Sequence, residues 1–192
     1  KKNIAPTPVI GGVGLIKKFI KPMNHLFKKE NNNIIVVGKT FGHLEQSAFF
    51  EEIYSILDGQ PPEINLTNEK NNGESILEII MNNLVKSVHD VSSGGLLIAL
   101  AEMSMGTNIG IKINKPIKLT NSFEYFFGED QGRYVLEIDK TDMDKVEKIL
   151  KNNNIFYENI GTTQKDYFEI EKEMKISVKN LCKINNQWYN SY

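Results

Sequence analysis

Apolar positions along the chain alternate between a spacing of about two residues and one of about three to four. Ile34-Ile35-Val36-Val37 is a short β-branched run ended by Gly38, and it reads as a buried strand. From His43 to Leu57, the residues Leu44, Ala48, Phe49, Ile53, Ile56 and Leu57 fall at helical spacing, and Gly59 with Pro61-Pro62 stops the pattern. Glu74 to Leu84 repeats it through Ile76, Leu77, Ile80 and Met81. Val85 to Val88 predicts a second strand running into His89-Asp90, and Leu96 to Met103 a helix. Ile109 to Ile113 predicts a strand and Asn121 to Phe127 a short aromatic helix. Arg133 to Ile138 predicts another strand, with Tyr134, Leu136 and Ile138 on one face and Val135 on the other. Asp142 to Leu150 is amphipathic; segments 155–162, 167–170 and 175–178 suggest closing strands, and Asn180 to Trp188 a terminal helix. Asparagine clusters at 31–33, 71–72 and 152–154 look like loops or helix ends. The order predicts an α/β domain, a mixed β-sheet covered by helices.

With 192 residues, 40% of them hydrophobic, the chain can bury a normal core as one domain. A net charge of -1 gives no basic field for nucleic acid or an anionic membrane. No apolar stretch approaches the roughly 20 residues that span a bilayer, and the start lacks the apolar core of a secretion signal. Cys182 is alone, which rules out an internal disulfide and fits a reducing, cytoplasmic location. Ile4 to Leu15, IAPTPVIGGVGL, joins prolines and glycines to aliphatic residues and reads as a connecting segment. Residues 1–33 are therefore expected to be an inter-domain linker and lead-in, and residues 34–192 a domain cut from a longer polypeptide. Such a fragment should leave Val9, Ile10, Val13 and Leu15 exposed, or cover them by self-association.

Arg133 is the one arginine among 23 basic residues. A chain that uses lysine everywhere else keeps a planar, multi-donor fork here. Two readings fit: a ligand clamp, or a structural pair with the neighbouring acids of Glu129-Asp130-Gln131-Gly132-Arg133. A second organised stretch is Asp90-Val91-Ser92-Ser93-Gly94-Gly95, a polar turn between strand and helix. Ser92 or Ser93 can cap the helix, and the glycines allow N–H groups to approach a phosphate or carboxylate. The alternative is that Asp90 and Ser92 only satisfy the helix end. No phosphate loop ending in Gly-Lys-Ser/Thr is present, and His25, His43 and His89 lack metal-ligand spacing.

IAPTPVIGGVGL, VGKTFGHLEQS, SVHDVSSGGLLIALAEMS and FFGEDQGRYVLEI, in that order and spacing, closely resemble the C-terminal part of the phosphoribosylformylglycinamidine synthase family. HDVSSGGL alone would mark only the wider superfamily, including aminoimidazole ribonucleotide synthetase and selenophosphate synthetase. The resemblance implies the fold of the aminoimidazole ribonucleotide synthetase C-terminal domain and a place as the last of four domains. It implies a share in the ATP- and glutamine-dependent amidination of formylglycinamide ribonucleotide in purine biosynthesis. ATP and magnesium would serve the full-length enzyme, with none expected in the fragment, which alone would be inactive. Implied partners are sibling domains of the same polypeptide, a glutaminase and the ribonucleotide. Asp90, Ser92, Ser93, Gly94, Gly95, Glu129, Gln131 and Arg133 would lie at a substrate or phosphate wall, with no catalytic or metal residue among them. Three departures stand out: Asp130 where the family has Ser, Ser93 for a frequent Asp, and His43-Leu44-Glu45-Gln46-Ser47 for Glu-Leu-Gly-Gly-Ser. A carboxylate at 130 repels a phosphate unless Arg133 or a metal offsets it. A non-catalytic scaffold role is the alternative, in which Arg133 holds Glu129 or Asp130 in place.

Overall fold

The unbroken aliphatic run of β1 (Asn33–Val37) can be satisfied only where both faces of a strand are covered. The computed structural model, which describes residues 9–16, 22–114 and 121–190, puts it near the middle of a seven-stranded sheet. After β1 come α1 (Ala48–Tyr54), α2 (Leu66–Met81), β2 (Ser87–Asp90), α3 (Gly95–Ser104) and β3 (Ile109–Ile113). Then follow α4 (Ser122–Phe127), β4 (Tyr134–Ile138), α5 (Met143–Asn152), β5 (Tyr157–Lys165), β6 (Tyr167–Ile170), β7 (Met174–Ser177) and α6 (Val178–Asn190). The strand order is β2-β4-β1-β5-β3-β6-β7. The sheet is mixed as expected: β3 and β6 pair in parallel, and the other pairings are antiparallel.

Alternation along β1 and β4 divides the core in two. Ile34, Val36 and Val135 pack with Ile111, Ile113 and Ile160 against Leu96, Leu100 and Met103 of α3 and Tyr125 and Phe126 of α4. Ile35, Val37, Leu136 and Ile138 face Ile76 and Ile79 of α2 and Val146 and Leu150 of α5. Helices therefore cover both faces of the sheet, and each fully buried aliphatic side chain contributes roughly 1.5–3 kcal/mol.

Two helices depart most from the sequence expectation. The helix expected over 43–57 is only α1, because Ser47 caps it by accepting from Phe50 N at 3.3 Å and Ser55 turns left-handed at φ 56°. The helix expected from Glu74 begins at Leu66, where Asn65 accepts from Asn68 N at 3.0 Å. Asn71 and Asn72, expected in a loop or at a helix end, lie inside α2, and buried Asn72 donates its side-chain amide to Gly132 O at 2.9 Å. Tertiary packing overrides the loop preference of asparagine at that point.

The lead-in enters the sheet through one carboxylate. Glu137 on β4 is 0% exposed and accepts from Lys28 N (2.9 Å), Lys29 N (3.0 Å), Asn32 Nδ2 (2.8 Å) and Ser87 Oγ (2.8 Å). Lys29 also pairs with Asp139 at 3.2 Å. Further upstream, Val9, Ile10, Val13 and Leu15 are 94%, 91%, 101% and 98% exposed. The expectations for residues 1–8 and 17–21 lie outside the described residues.

Glu137→Gln turns an acceptor toward its donors as an NH2 group, and urea denaturation should show a loss of about 1–3 kcal/mol. Asp139 is held down to about 2 by the backbone N–H of Thr141, then by its hydroxyl and by Lys29. A carboxylate depressed in this way contributes stability above about pH 4, lost as pH falls through about 2. An NMR titration should place its midpoint there, and Thr141→Ala should raise it.

Candidate functional site

Between α4 and β4 the chain must turn from helix to strand within Gly128–Arg133, and three charged side chains organise that turn. Asp130, 4% exposed, accepts at Oδ2 from Phe41 N and Gly42 N, both at 2.9 Å, and at Oδ1 from His43 N at 3.2 Å. Three successive backbone N–H groups thus form an anion nest that the protein fills with its own carboxylate. Glu129 Oε1 accepts from Ala48 N at 2.8 Å and Gly94 N at 2.7 Å. One carboxylate oxygen therefore caps the starts of both α1 and α3.

Arg133 lies beneath this knot, 1% exposed. Its Nη1 donates to Thr40 Oγ1 at 3.2 Å, its Nη2 to Gly128 O, and its Nε to Asp130 O at 3.4 Å, with Asp130 Oδ2 4.0 Å from Nε. Burial lowers its pKa from the usual arginine value, while Asp130, then Tyr125 and Glu129, act in the opposite direction. The fork is thus occupied by internal acceptors, two on its own loop and one on Thr40 in the loop after β1.

The turn Asp90–Gly95 packs directly on the same loop. Val91 N donates to Arg133 O at 2.9 Å, and Gly95 N to Ser92 O at 3.0 Å. Gly94 and Gly95 take φ 82° and 71°, and a Cβ on Gly95 would meet the Phe127 carbonyl carbon at 2.7 Å. The close approach expected of these glycines is thus made to residues 127–129, and the N–H groups of Gly94 and Gly95 are engaged by Glu129 and by Ser92 O. Neither Ser92 nor Ser93 caps α3, whose N-cap residue is Gly94, held by the Glu129 carboxylate. Both serines are exposed, as are Asp90 and Gln131. Asp90 lies near Tyr134, whose hydroxyl is pushed up by burial, then by Glu69 and Asp90. His89 is engaged with Glu102 at 2.9 Å and Asp90 at 3.3 Å.

A cleft of about 530 Å³ opens beside the knot, lined by Lys39, Phe41, Asn68, Glu69, Asp130 and Gln131 among others. Of the residues expected at a ligand wall, only Gln131 borders it; Asp90, Ser92, Ser93, Gly94 and Gly95 do not. The nest donors Phe41, Gly42 and His43 escape sequence reasoning because backbone N–H groups carry no residue signature. Among the described residues, no group of three His, Cys, Asp or Glu is placed to hold a metal, and no helix is long and apolar enough to cross a membrane.

Residues 29–172 match the family described as AIR synthase related protein, C-terminal domain. The phosphoribosylformylglycinamidine synthase subunit PurL of Pelagibacter ubique is 45% identical over 190 residues, which take in 99% of this chain and 26% of that protein. T. maritima PurL complexed with FGAR has the same fold, with a TM-score of 0.68 at 16% identity over 83% of this chain and 29% of that one. The T. maritima PurL complex with ATP gives 0.64 at 16% identity, over 83% and 27%. The chain spans about a quarter of the length of these relatives.

Arg133→Lys, which keeps charge but not the fork, should lower domain stability by about 1–3 kcal/mol in urea denaturation. Gly95→Ala should cost at least about 2 kcal/mol, since it combines a left-handed backbone with a backbone clash.

Proposed function

Because the chain belongs to the family of AIR synthase related proteins, as their C-terminal domain, we propose that it is the last domain of a phosphoribosylformylglycinamidine synthase. The 45% identity to a protein of that name, along 99% of this chain, supports this reading most strongly. The reaction is the ATP-dependent amidination of formylglycinamide ribonucleotide. ATP transfers its γ-phosphoryl group to the amide oxygen, leaving ADP. Ammonia then adds at the activated carbon, and inorganic phosphate departs with that oxygen. Glutamine is the ammonia source, through a glutaminase partner, and the work takes place in the cytoplasm. Nucleotide and magnesium are held by other domains of the parent, and this domain alone carries no turnover.

Within the domain, Glu129, Arg133, Gly94 and Gly95 hold a wall rather than touch ligand, since their polar groups are engaged internally. Contacts to a ribonucleotide or nucleotide fall to the exposed Gln131, and to Asp90, Ser92 and Ser93 on the neighbouring turn. Asp130 in the nest disfavours a phosphate at that point.

The parent polypeptide, assayed with its glutaminase, glutamine, ATP and formylglycinamide ribonucleotide, should release ADP and phosphate in step with the amidine product. Absence of that product, or turnover of another superfamily substrate instead, overturns the reading. In the same assay Gln131→Ala should raise the KM for ribonucleotide or nucleotide several-fold; unchanged constants assign the domain a purely structural role.

A further inference from the structure

Helix α1 has the sequence AFFEEIY, and none of its seven residues is buried. Its N-terminus is fixed by Ser47 and Glu129, and Phe49 stacks on Phe127 and Phe123 of α4 at 4.7 and 5.5 Å between ring centroids. Beyond Phe49, the helix presents Ile53 and Tyr54, 64% and 58% exposed, to the outside. A seven-residue helix is not stable by propensity alone, and an apolar face of this kind normally persists by packing on something.

The exposed apolar surface extends past the helix. The connection after α1 folds back on the segment before it: His43 Nε2 bonds Gln60 O at 2.8 Å, Gln46 donates to Gly59 O at 2.6 Å, and Gln60 N donates to Glu45 at 2.7 Å. This closed loop presents Leu57 (67% exposed) and leads to Ile64 and Leu66, while Phe41 joins Pro62, Glu63 and Asn65 around the cleft. Isolated exposed apolar residues are ordinary on a protein surface; a group tied together in this way marks an interaction site.

Between Lys39, which borders the cleft, and Lys70, the segment itself carries charge of one sign. Residues 40–69 contain no lysine or arginine, in a chain with 23 basic residues, and they carry Glu45, Glu51, Glu52, Asp58, Glu63 and Glu69. The complementary surface has an apolar centre and a basic rim.

We propose that α1 and the 55–66 connection form the docking face for another domain of the same polypeptide, one presenting an apolar patch rimmed by lysine or arginine. The occupant follows from length: the chain accounts for 26% of its relative, so most of the polypeptide lies outside it. The proposal rests on the reading of this chain as one domain of a longer ligase, and it adds which face meets the rest. Because Phe41 lines the cleft of about 530 Å³, the docked domain supplies that cleft with an opposite wall.

Maleimide labelling of single-cysteine variants of the parent polypeptide, read peptide by peptide by mass spectrometry, tests it. Ile53→Cys and Leu57→Cys should react at least tenfold more slowly than Lys140→Cys and Lys172→Cys, which lie on exposed turns. Equal rates overturn the proposal. Protection that disappears on dilution assigns the face to a second copy and also overturns it. Glu51→Lys with Glu52→Lys should raise the Leu57→Cys rate several-fold while leaving Lys140→Cys unchanged; no increase removes the basic rim. Labelling needs no turnover, so lost protection with ligase activity intact defeats the docking face alone. Retained protection without ligase activity defeats the functional assignment alone.

Discussion

The irregular backbone of this domain depends on carboxylates accepting from N–H groups that regular structure leaves over. Glu129, Asp130 and Glu137 lie within nine residues of one another, on β4 and the loop before it. Between them they gather Phe41 to His43, Ala48, Gly94, Lys28 and Lys29. Each of those donors would be costly to leave without a partner away from water. Because β4 sits between β1 and β2, the three acids stand where the lead-in, the α1 loop and the turn before α3 converge. Arg133 completes the arrangement from below, tying Asp130 and Gly128 to Thr40.

What the sequence made legible follows from how far each signal reaches. β1, β3 and β6 fall within a residue of expectation because alternation or continuous apolarity is a local property. The start of α2 was not legible, because asparagines at its N-terminus read locally as loop or helix end while one of them is anchored to Gly132 O, 60 residues away. Glu137 did carry a signal. It shares a strand face with Val135, which is expected to be buried, so a carboxylate at that parity needs internal donors. The partners of Asp130 had no such trace, since they are main-chain groups 87 to 89 residues distant.

The candidate site shows the same limit in chemical form. Acids, glycines and one arginine close in sequence are the materials of a phosphate wall, and equally those of a loop that binds itself. Burial separates the two: Arg133 and Asp130 face inward, whereas Gln131, Asp90, Ser92 and Ser93 remain accessible. The lone guanidinium in a lysine-rich chain has a physical explanation in its acceptors. A backbone carbonyl, a hydroxyl and the backbone carbonyl of an aspartate, spread around one plane, are reached together by a fork and not by a point charge.

Glu137 also bears on the order in which the chain can assemble. Lys28 and Lys29 hand their N–H groups to an acceptor 108 to 109 residues later in the chain. During synthesis at about 5–20 residues per second, the lead-in therefore waits roughly 5–20 s for its acceptor to emerge. Throughout that interval β1 also lacks its β4 neighbour. The N-terminal edge of this domain is thus closed only once β4, more than a hundred residues downstream, has emerged, so its first strand and its lead-in are made long before the acceptor that fastens them.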